Sequence, residues 1–534
     1  MELLARAASR SDDFRRVRFM MFLTAVCVAW LQAAEPVSKD PPDAPLNVVV
    51  FIVDDLGWQD VSVPHHVERT PFNDRYHTPN LERLASEGVV LTDGYASAPV
   101  CTPTRTSLLT GRSPARNRIT YWTFNRDSDT TAPNPRLRAP AWEVNGLAPD
   151  AMLLPERLAD RGYRTIHIGK AHWGAHGTPG SDPLELGFEV NVAGHASGAP
   201  GSYRSRHRFM NSKSATDFSR SSRWDVPGLE AFHDRDIYLT EALQERMVEE
   251  VERSIDEARP FFLHFAPYAV HTPIMANEVH LDRYQDLPPR EAAYATMIES
   301  VDVALGRLLE VLDRRGVRDR TLVIFTSDNG GLSAHARGGE PHVHNHPLRS
   351  GKGSAYEGGV RVPWVVRWPG VVQAGARMDQ PVVTQDLYPT ILAATDRSEA
   401  KDAESPQSSI DGIDLGPVLR GADGPEVTTA MDRSILFHQP HTWGARGPGI
   451  EPFSALRWRA WKVIYFHGDR RFELYDLDSD VGEQVNLADR RPEVLKRMID
   501  RLARALRENA AQMSIDADSG QPVEWPDEVP LSSN

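Results

Sequence analysis

The run CTPTRTSLLTGR, from Cys101 to Arg112, sets a thiol beside residues that start a helix and grip an anion. Pro103 suits a first helical turn, so Cys101 would sit at the positive end of that helix, where unpaired backbone N–H groups favour a bound anion. Arg105 lies four residues on, one turn along and on the same face, and its guanidinium fork matches the geometry of an oxyanion. A cysteine near an arginine is ordinarily structural. Other residues change that here: Asp54 and Asp55, Lys170 and His172, His271, and Asp328 and Asn329 all follow apolar runs. The aspartates and Asn329 are hard oxygen ligands that suit Ca²⁺ or Mg²⁺ rather than zinc, and a cation held there would attract and polarise an anionic substrate. Lys170, His172, His271 and Lys352 add cations and proton donors.

Four segments must position these groups: LNVVVFIV, TIHIG, FFLHFAPYAV and TLVIFTS. Their near-continuous Val, Ile, Leu and Phe content predicts strands buried on both faces of a parallel sheet, and ligands gather beyond the carboxyl ends of such strands. Any one of the polar groups could be a strand-end turn or a helix cap. Four together point to one shared edge. Between the strands, Asn80 is expected to cap a helix over LERLASEG that ends at Gly88. A longer helix over about residues 290–315 carries Met297, Ile298, Val301, Leu305 and Leu312 at helical spacing. The alternation predicts an α/β fold: a large mixed, mostly parallel sheet sandwiched by helices, over residues 45–430. ILFHQP, FSALRWRAW, KVIYFHG and RFELYDL then predict a smaller antiparallel sheet, and a helix over about 492–512 completes a C-terminal subdomain at 431–515, with a tail at 516–534. Residues 174–232 form a long polar excursion of the kind that is often functional.

Arg15, Arg16 and Arg18 precede the apolar stretch of residues 19–31, and Ala33 and Ala34 offer a cleavage point, so residues 1–34 read as a signal peptide; an uncut anchor is the alternative. The expected location is periplasmic or extracellular, with no stable membrane insertion. The chain has 534 residues and 2 cysteines, and Cys27 falls inside the signal, so a mature chain holding Cys101 alone forms no internal disulfide and depends on its hydrophobic core. A formal net charge of −14 argues against nucleic acid as a partner.

The Cys-Thr-Pro-Thr-Arg run resembles the maturation and active-site motif of type I, formylglycine-dependent sulfatases of the alkaline phosphatase-like superfamily. VDDLGW at 53–58, HTPNLERLASEG at 77–88, GKAHWG at 169–174, HTPI at 271–274, SDNGG at 327–331 and LRSGKGSAYEGGVRVPWVVRWPG at 348–370 are similar to further family motifs. ELYDLDSDVGEQVNLA at 473–488 resembles the family's C-terminal subdomain, so the likeness runs over about residues 45–515. The resemblance implies that a formylglycine-generating or equivalent maturation enzyme oxidises Cys101 to formylglycine, whose aldehyde hydrates to a geminal diol. It implies one Ca²⁺ held by Asp54, Asp55, Asp328, Asn329 and the modified Cys101, with Arg105 and Lys170 orienting the diol and the sulfate. One hydroxyl attacks sulfur, His271 and Lys352 stabilise or protonate the departing oxygen, and His172 deprotonates the second hydroxyl so that sulfate is expelled. In GKAHWG the chain departs from the family, which usually has Trp between the Lys and the His; Ala171 removes that ring, and Trp173 stands where it could compensate.

The expected substrate is a sulfated carbohydrate, since export reaches extracellular polymers and no apolar hairpin of a membrane-embedded steroid sulfatase follows the signal. Arg204, Arg206, Arg208 and Arg220 in one loop, and Arg337, His342, His344, His346 and Arg349 in another, could bind hydroxyls, carboxylates or further sulfates. The second loop leads into Lys352, so His344, His346 or Arg349 is expected to line the leaving-group side of the site. Two other readings are a formylglycine-dependent phosphodiesterase or phosphonate hydrolase, separable by paired sulfate and phosphate ester assays, and a non-catalytic glycan-binding relative, which would have lost a ligand or the nucleophile.

Overall fold

The computed structural model describes residues 45–150, 152–211, 222–332, 345–396, 410–422, 424, 427, 428 and 431–531. The signal-peptide reading of residues 1–34 lies outside them. So do Arg220, Arg337, His342 and His344.

Eight strands form the main sheet. In chain order they are β1 (Asn47–Val53), β2 (Val89–Leu91), β3 (Arg164–Gly169), β4 (Val190–Val192), β5 (Phe261–Ala266), β6 (Thr321–Ser327), β7 (Trp364–Arg367) and β8 (Ala376–Met378). Their spatial order is β8-β2-β7-β6-β1-β5-β3-β4. The five neighbours from β6 to β4 are mutually parallel, and β7 alone runs against its neighbours. This arrangement is the expected mixed, mostly parallel sheet. Because β1, β3, β5 and β6 share one direction, the residues that follow their last positions emerge at one edge.

Successive residues of β1 face opposite ways, and both faces are dry. Val49, Phe51 and Val53 pack with Leu84 of α1 (Pro79–Glu87), Met247 of α3 (Leu239–Asp256) and Leu305 of α4 (Pro289–Arg314). Val48, Val50 and Ile52 join the other core with Leu108 and Leu109 of α2 (Cys101–Thr110) and Ile391 of α5 (Leu387–Thr395). Asn80 does not cap α1. Pro79 occupies the first turn and makes Thr78 the N-cap, while the Asn80 amide reaches across to Asp302 of α4 at 2.8 Å.

The C-terminal strands β9 (Ser434–Gln439), β10 (Phe453–Trp458), β11 (Trp461–Phe466) and β12 (Phe472–Asp476) form a separate antiparallel sheet in chain order. One face buries Leu456, Val463 and Leu474 against Leu502 and Leu506 of α6 (Pro492–Glu508). The other face packs Phe437, Phe453 and Ile464 on Tyr95, Tyr356 and Val360 of the main body. Beyond α6 the chain folds back, and Val523 joins the core under the small sheet.

A buried ion cluster locks the two sheets together near Lys352. Lys462 of β11 is fully enclosed, with its Nζ 2.9 Å from Glu357 Oε1 and 3.0 Å from Glu483 Oε1. Removing one partner of such a buried cluster leaves an uncompensated charge, so Lys462→Ala should cost about 3–5 kcal/mol in urea unfolding. Lys462→Ala unfolding at the wild-type urea midpoint would remove this cluster as the anchor of the segment after Lys352.

Candidate active site

Each group predicted from the sequence at the end of a parallel strand arrives at the same buried centre. Asp54 and Asp55 follow β1, and Asp55 turns the chain there with φ 60°, a left-handed conformation that Asp tolerates better than most residues. Its backbone N–H donates to Asp328 Oδ1 at 3.2 Å, which ties the end of β1 to the end of β6. Cys101 opens α2 as expected, with Sγ 3.9 Å from Asp54 Oδ1. One turn along, Arg105 Nε donates to Asp328 Oδ2 at 2.8 Å and Nη1 to the Lys170 carbonyl at 2.7 Å. Lys170 Nζ lies 2.7 Å from Asp54 Oδ1, while Lys352 Nζ lies 2.5 Å from Asp55 Oδ1 and 3.3 Å from Cys101 Sγ. His271 Nε2 stands 3.7 Å from Asp55 Oδ2.

β3 ends at Gly169, and His172 has φ 55°, so Lys170 and His172 are delivered to the centre by the turn that follows the strand. His172 Nε2 lies 3.0 Å from the Thr123 carbonyl oxygen, which makes Nε2 the protonated nitrogen, and Nδ1 is buried with no hydrogen-bond partner. Ala171 is packed without exposure. Trp173 lies beneath Arg105, its indole N–H donating to the Arg105 carbonyl at 3.1 Å and its ring stacked on Phe188 at 5.4 Å.

Six ionisable side chains are thus enclosed together: Asp54, Asp55 and Asp328 against Arg105, Lys170 and Lys352. Burial, reinforced by the neighbouring Asp328 and Asp55, pushes the Asp54 carboxyl well above the usual carboxylate range despite Lys170. Burial acts on Asp55 too, but Lys352 and His271 outweigh it and hold that carboxyl low. The Cys101 thiol is pushed up to about 11 by burial, against the pull of Lys170 and Lys352. Burial also lowers His271 to about 4 and His172 well below the imidazole range, so both rings are neutral near pH 7.

The residues present suit a hard cation. Asp54 Oδ2, Asp55 Oδ2 and Asn329 Oδ1 are buried oxygens with no hydrogen-bond partner, a costly arrangement for acceptors unless they share a positive charge. Ligand atoms of Asp54, Asp55, Cys101 and His271 lie within 4.8 Å of one another. That grouping contains His271 where the sequence reading has Asp328 and Asn329. The oxygen set is the better match, because the orphaned atoms are oxygens. Asp328 already accepts from Asp55 and Arg105, which leaves part of its lone-pair capacity free. Arg105 Nη2 is a buried donor without an acceptor, and so stands ready for an anion.

A cavity of about 520 Å³ opens over Cys101, bordered by His172, His271 and Lys352 on its catalytic side. Its outer walls are Trp122, Phe124, Trp224 and Trp443, which the sequence reading missed. The available signal was the aromatic run YWTF at 121–124, outside any periodic element. The basic loops behave differently from their reading. Arg204 and Arg206 pair with Glu278. His346 is exposed, and neither it nor Arg349 lines the cavity. Arg349 lies 3.9 Å over the Tyr356 ring and donates to the Tyr475 hydroxyl and the Glu483 carbonyl, so the C-terminal sheet has recruited it.

The family model for sulfatases matches residues 46–397, and one described as N-sulphoglucosamine sulphohydrolase, C-terminal, matches residues 351–512. Human N-acetylgalactosamine-6-sulfatase is 31% identical over 414 residues, covering 75% of this chain and 72% of that one. A sulfatase of Formosa agariphila is 27% identical over 560 residues, covering 94% and 96%. Among solved structures, Ps i-CgsB superposes with a TM-score of 0.67 at 26% identity, covering 87% of this chain and 93% of that one; it has also been solved in complex with k-i-k-neocarrahexaose.

Burial and the high thiol pKa give a direct chemical expectation. In chain that retains Cys101 as cysteine, iodoacetamide should label it at least about tenfold more slowly in the folded protein at pH 8 than after unfolding in urea. Equal labelling rates would contradict the enclosure of the thiol.

Proposed function

Since the chain belongs to the sulfatase family and hydrolyses sulfate esters, we propose that its substrate is a sulfated carbohydrate, cleaved with Cys101 in its formylglycine form and Ca²⁺ bound. The observation that carries this reading is the convergence of orphaned oxygens of Asp54, Asp55 and Asn329, a spare Arg105 donor and two lysines beside the buried Cys101. Asp54, Asp55, Asp328, Asn329 and the modified Cys101 would hold the cation, which supplies Lewis acidity toward a sulfate oxygen. Formylglycine, produced from Cys101 by a maturation enzyme, supplies a nucleophilic hydroxyl and a second hydroxyl that permits release of the sulfate.

The chain's own groups fit the remaining tasks. Arg105 Nη2, Lys170 and Lys352 are placed to bind and orient the sulfate. The Thr123 carbonyl fixes the His172 tautomer, so the lone pair is on Nδ1, and burial keeps it unprotonated and ready to take a proton. His271 borders the cavity beside Asp55, where it and Lys352 can stabilise the departing alcohol oxygen.

The carbohydrate assignment is supported by the relatives' names and by a cavity large enough for a sugar ring. Export is proposed on the sequence reading of residues 1–34; among the described residues no helix is long and apolar enough to cross a membrane. A phosphodiesterase remains the rival chemistry, and paired sulfate and phosphate ester assays decide between them.

Mass spectrometry should find the Cys101 peptide lighter by the change from CH₂SH to CHO when the host has the modifying activity. Cys101→Ser should stall after one turnover, because a serine sulfate has no second hydroxyl with which to expel the group. Multiple turnover by protein verified as unmodified would overturn the nucleophile. Metal analysis should return one Ca²⁺ per chain, and Asp54→Ala should lower both occupancy and activity, the latter by about 10²–10³-fold. Full activity in protein freed of all metal would sink the cation assignment.

A further inference from the structure

Three distant parts of the chain deliver aromatic rings to the walls of the cavity above Cys101. Trp122 and Phe124 flank Thr123, the residue whose carbonyl accepts from His172. Trp224, at the end of the long polar excursion, stacks on Phe124 with centroids 4.6 Å apart and planes 25° from parallel. Trp443 follows β9 of the C-terminal sheet. Its ring lies so close to Gly353 that a Cβ there would sit 2.1 Å from Cε3, and Gly353 also needs its positive φ of 83°. Glycine beside Lys352 therefore lets a ring from the small subdomain close over the catalytic lysine.

The ionisable groups that line this cavity among the described residues are Cys101, His172, His271 and Lys352, all at its inner end. Flat aromatic faces carry negative quadrupole density and attract the weakly positive C–H bonds of an apolar surface. A hexopyranose presents such C–H faces while keeping its hydroxyls at the rim. We propose that Trp122, Phe124, Trp224 and Trp443 form a stacking site for the uncharged pyranose ring that carries the scissile sulfate, so that the leaving group is recognised through its C–H faces rather than through ion pairs. This inference rests on the carbohydrate reading above.

The test uses the full-length, formylglycine-verified enzyme on a panel of defined oligosaccharides, each with one sulfate on an otherwise neutral sugar, together with a small alkyl sulfate that has no ring. Trp122→Ala and Trp443→Ala should each lower kcat/KM on the best oligosaccharide by about tenfold or more, chiefly through KM, because each removes a large apolar contact. Trp→Phe at either position should recover most of the loss. Inhibition by inorganic sulfate, which needs only the inner end, should keep its wild-type constant in every variant, and so should kcat/KM on the alkyl sulfate. Raising NaCl from 50 to about 500 mM should change KM for the oligosaccharide less than about threefold, since stacking is not screened as ion pairing is. Alanine variants with wild-type KM, or a parallel loss of sulfate inhibition, would overturn the stacking site while leaving the carbohydrate reading intact. If the unaltered enzyme hydrolyses aryl sulfates but releases sulfate from no sugar in the panel, the carbohydrate reading falls and the stacking site falls with it.

Discussion

Three carboxylates and three basic side chains buried together at one sheet edge are the constraint around which the molecule is built. At an effective dielectric of about 20, two unit charges 4 Å apart interact by about 4 kcal/mol, so removing any one member would forfeit a large part of a domain's net stability. Such a cluster persists only where the backbone beneath it cannot yield. The parallel register β3-β5-β1-β6 supplies that rigidity, since each of the strand ends is hydrogen-bonded to its neighbours and packed dry on both faces. The Asp55 N–H to Asp328 bond and the Arg105 bond to the Lys170 carbonyl then join strand ends that are distant in sequence.

The same balance explains why the sequence displays this half of the molecule so openly. A strand buried on both faces must be apolar at every position, so Val48–Val53 is legible as a strand without any knowledge of its partners, and the abrupt polarity of Asp54-Asp55 marks its end. The parallel sheet follows from the alternation with helices, and the shared edge follows from the parallel sheet. Details that depend on long-range competition were not legible. Asn80 is a good cap by type, yet Pro79 moved the helix start and Asp302 took its amide. Arg349 reads as a substrate ligand from its place before Lys352, yet Tyr356, Tyr475 and Glu483 lie closer to it than the cavity does. The aromatic walls were hidden for a related reason: Trp122, Trp224 and Trp443 are separated by hundreds of residues, and no local period links them.

The C-terminal sheet belongs to the site as much as to the scaffold. Its outer face carries α6, but its inner face lies on Tyr95, Tyr356 and Val360, and Lys462 reaches Glu357, five positions beyond Lys352. Trp443 then covers Gly353 from above. The loop that brings Lys352 to Asp55 is therefore held from both sides: by the main sheet through Gly330 and Gly331, whose backbones meet the Gly359 carbonyl and the Lys352 N–H, and by the small sheet through a buried ion cluster and a ring. A lysine on a free loop would average over many positions. Held this way, Lys352 stands 2.5 Å from the Asp55 carboxylate.

The segment 121–124 joins the two ends of the cavity. Thr123 faces inward, where its carbonyl takes the His172 proton and so selects which imidazole nitrogen is free; its neighbours Trp122 and Phe124 face the outer walls. Recognition of the leaving group and readiness of the proposed base therefore share one short stretch of chain. The charged end needs this arrangement, because its own groups are already committed to one another and have little freedom left with which to sense the rest of the substrate.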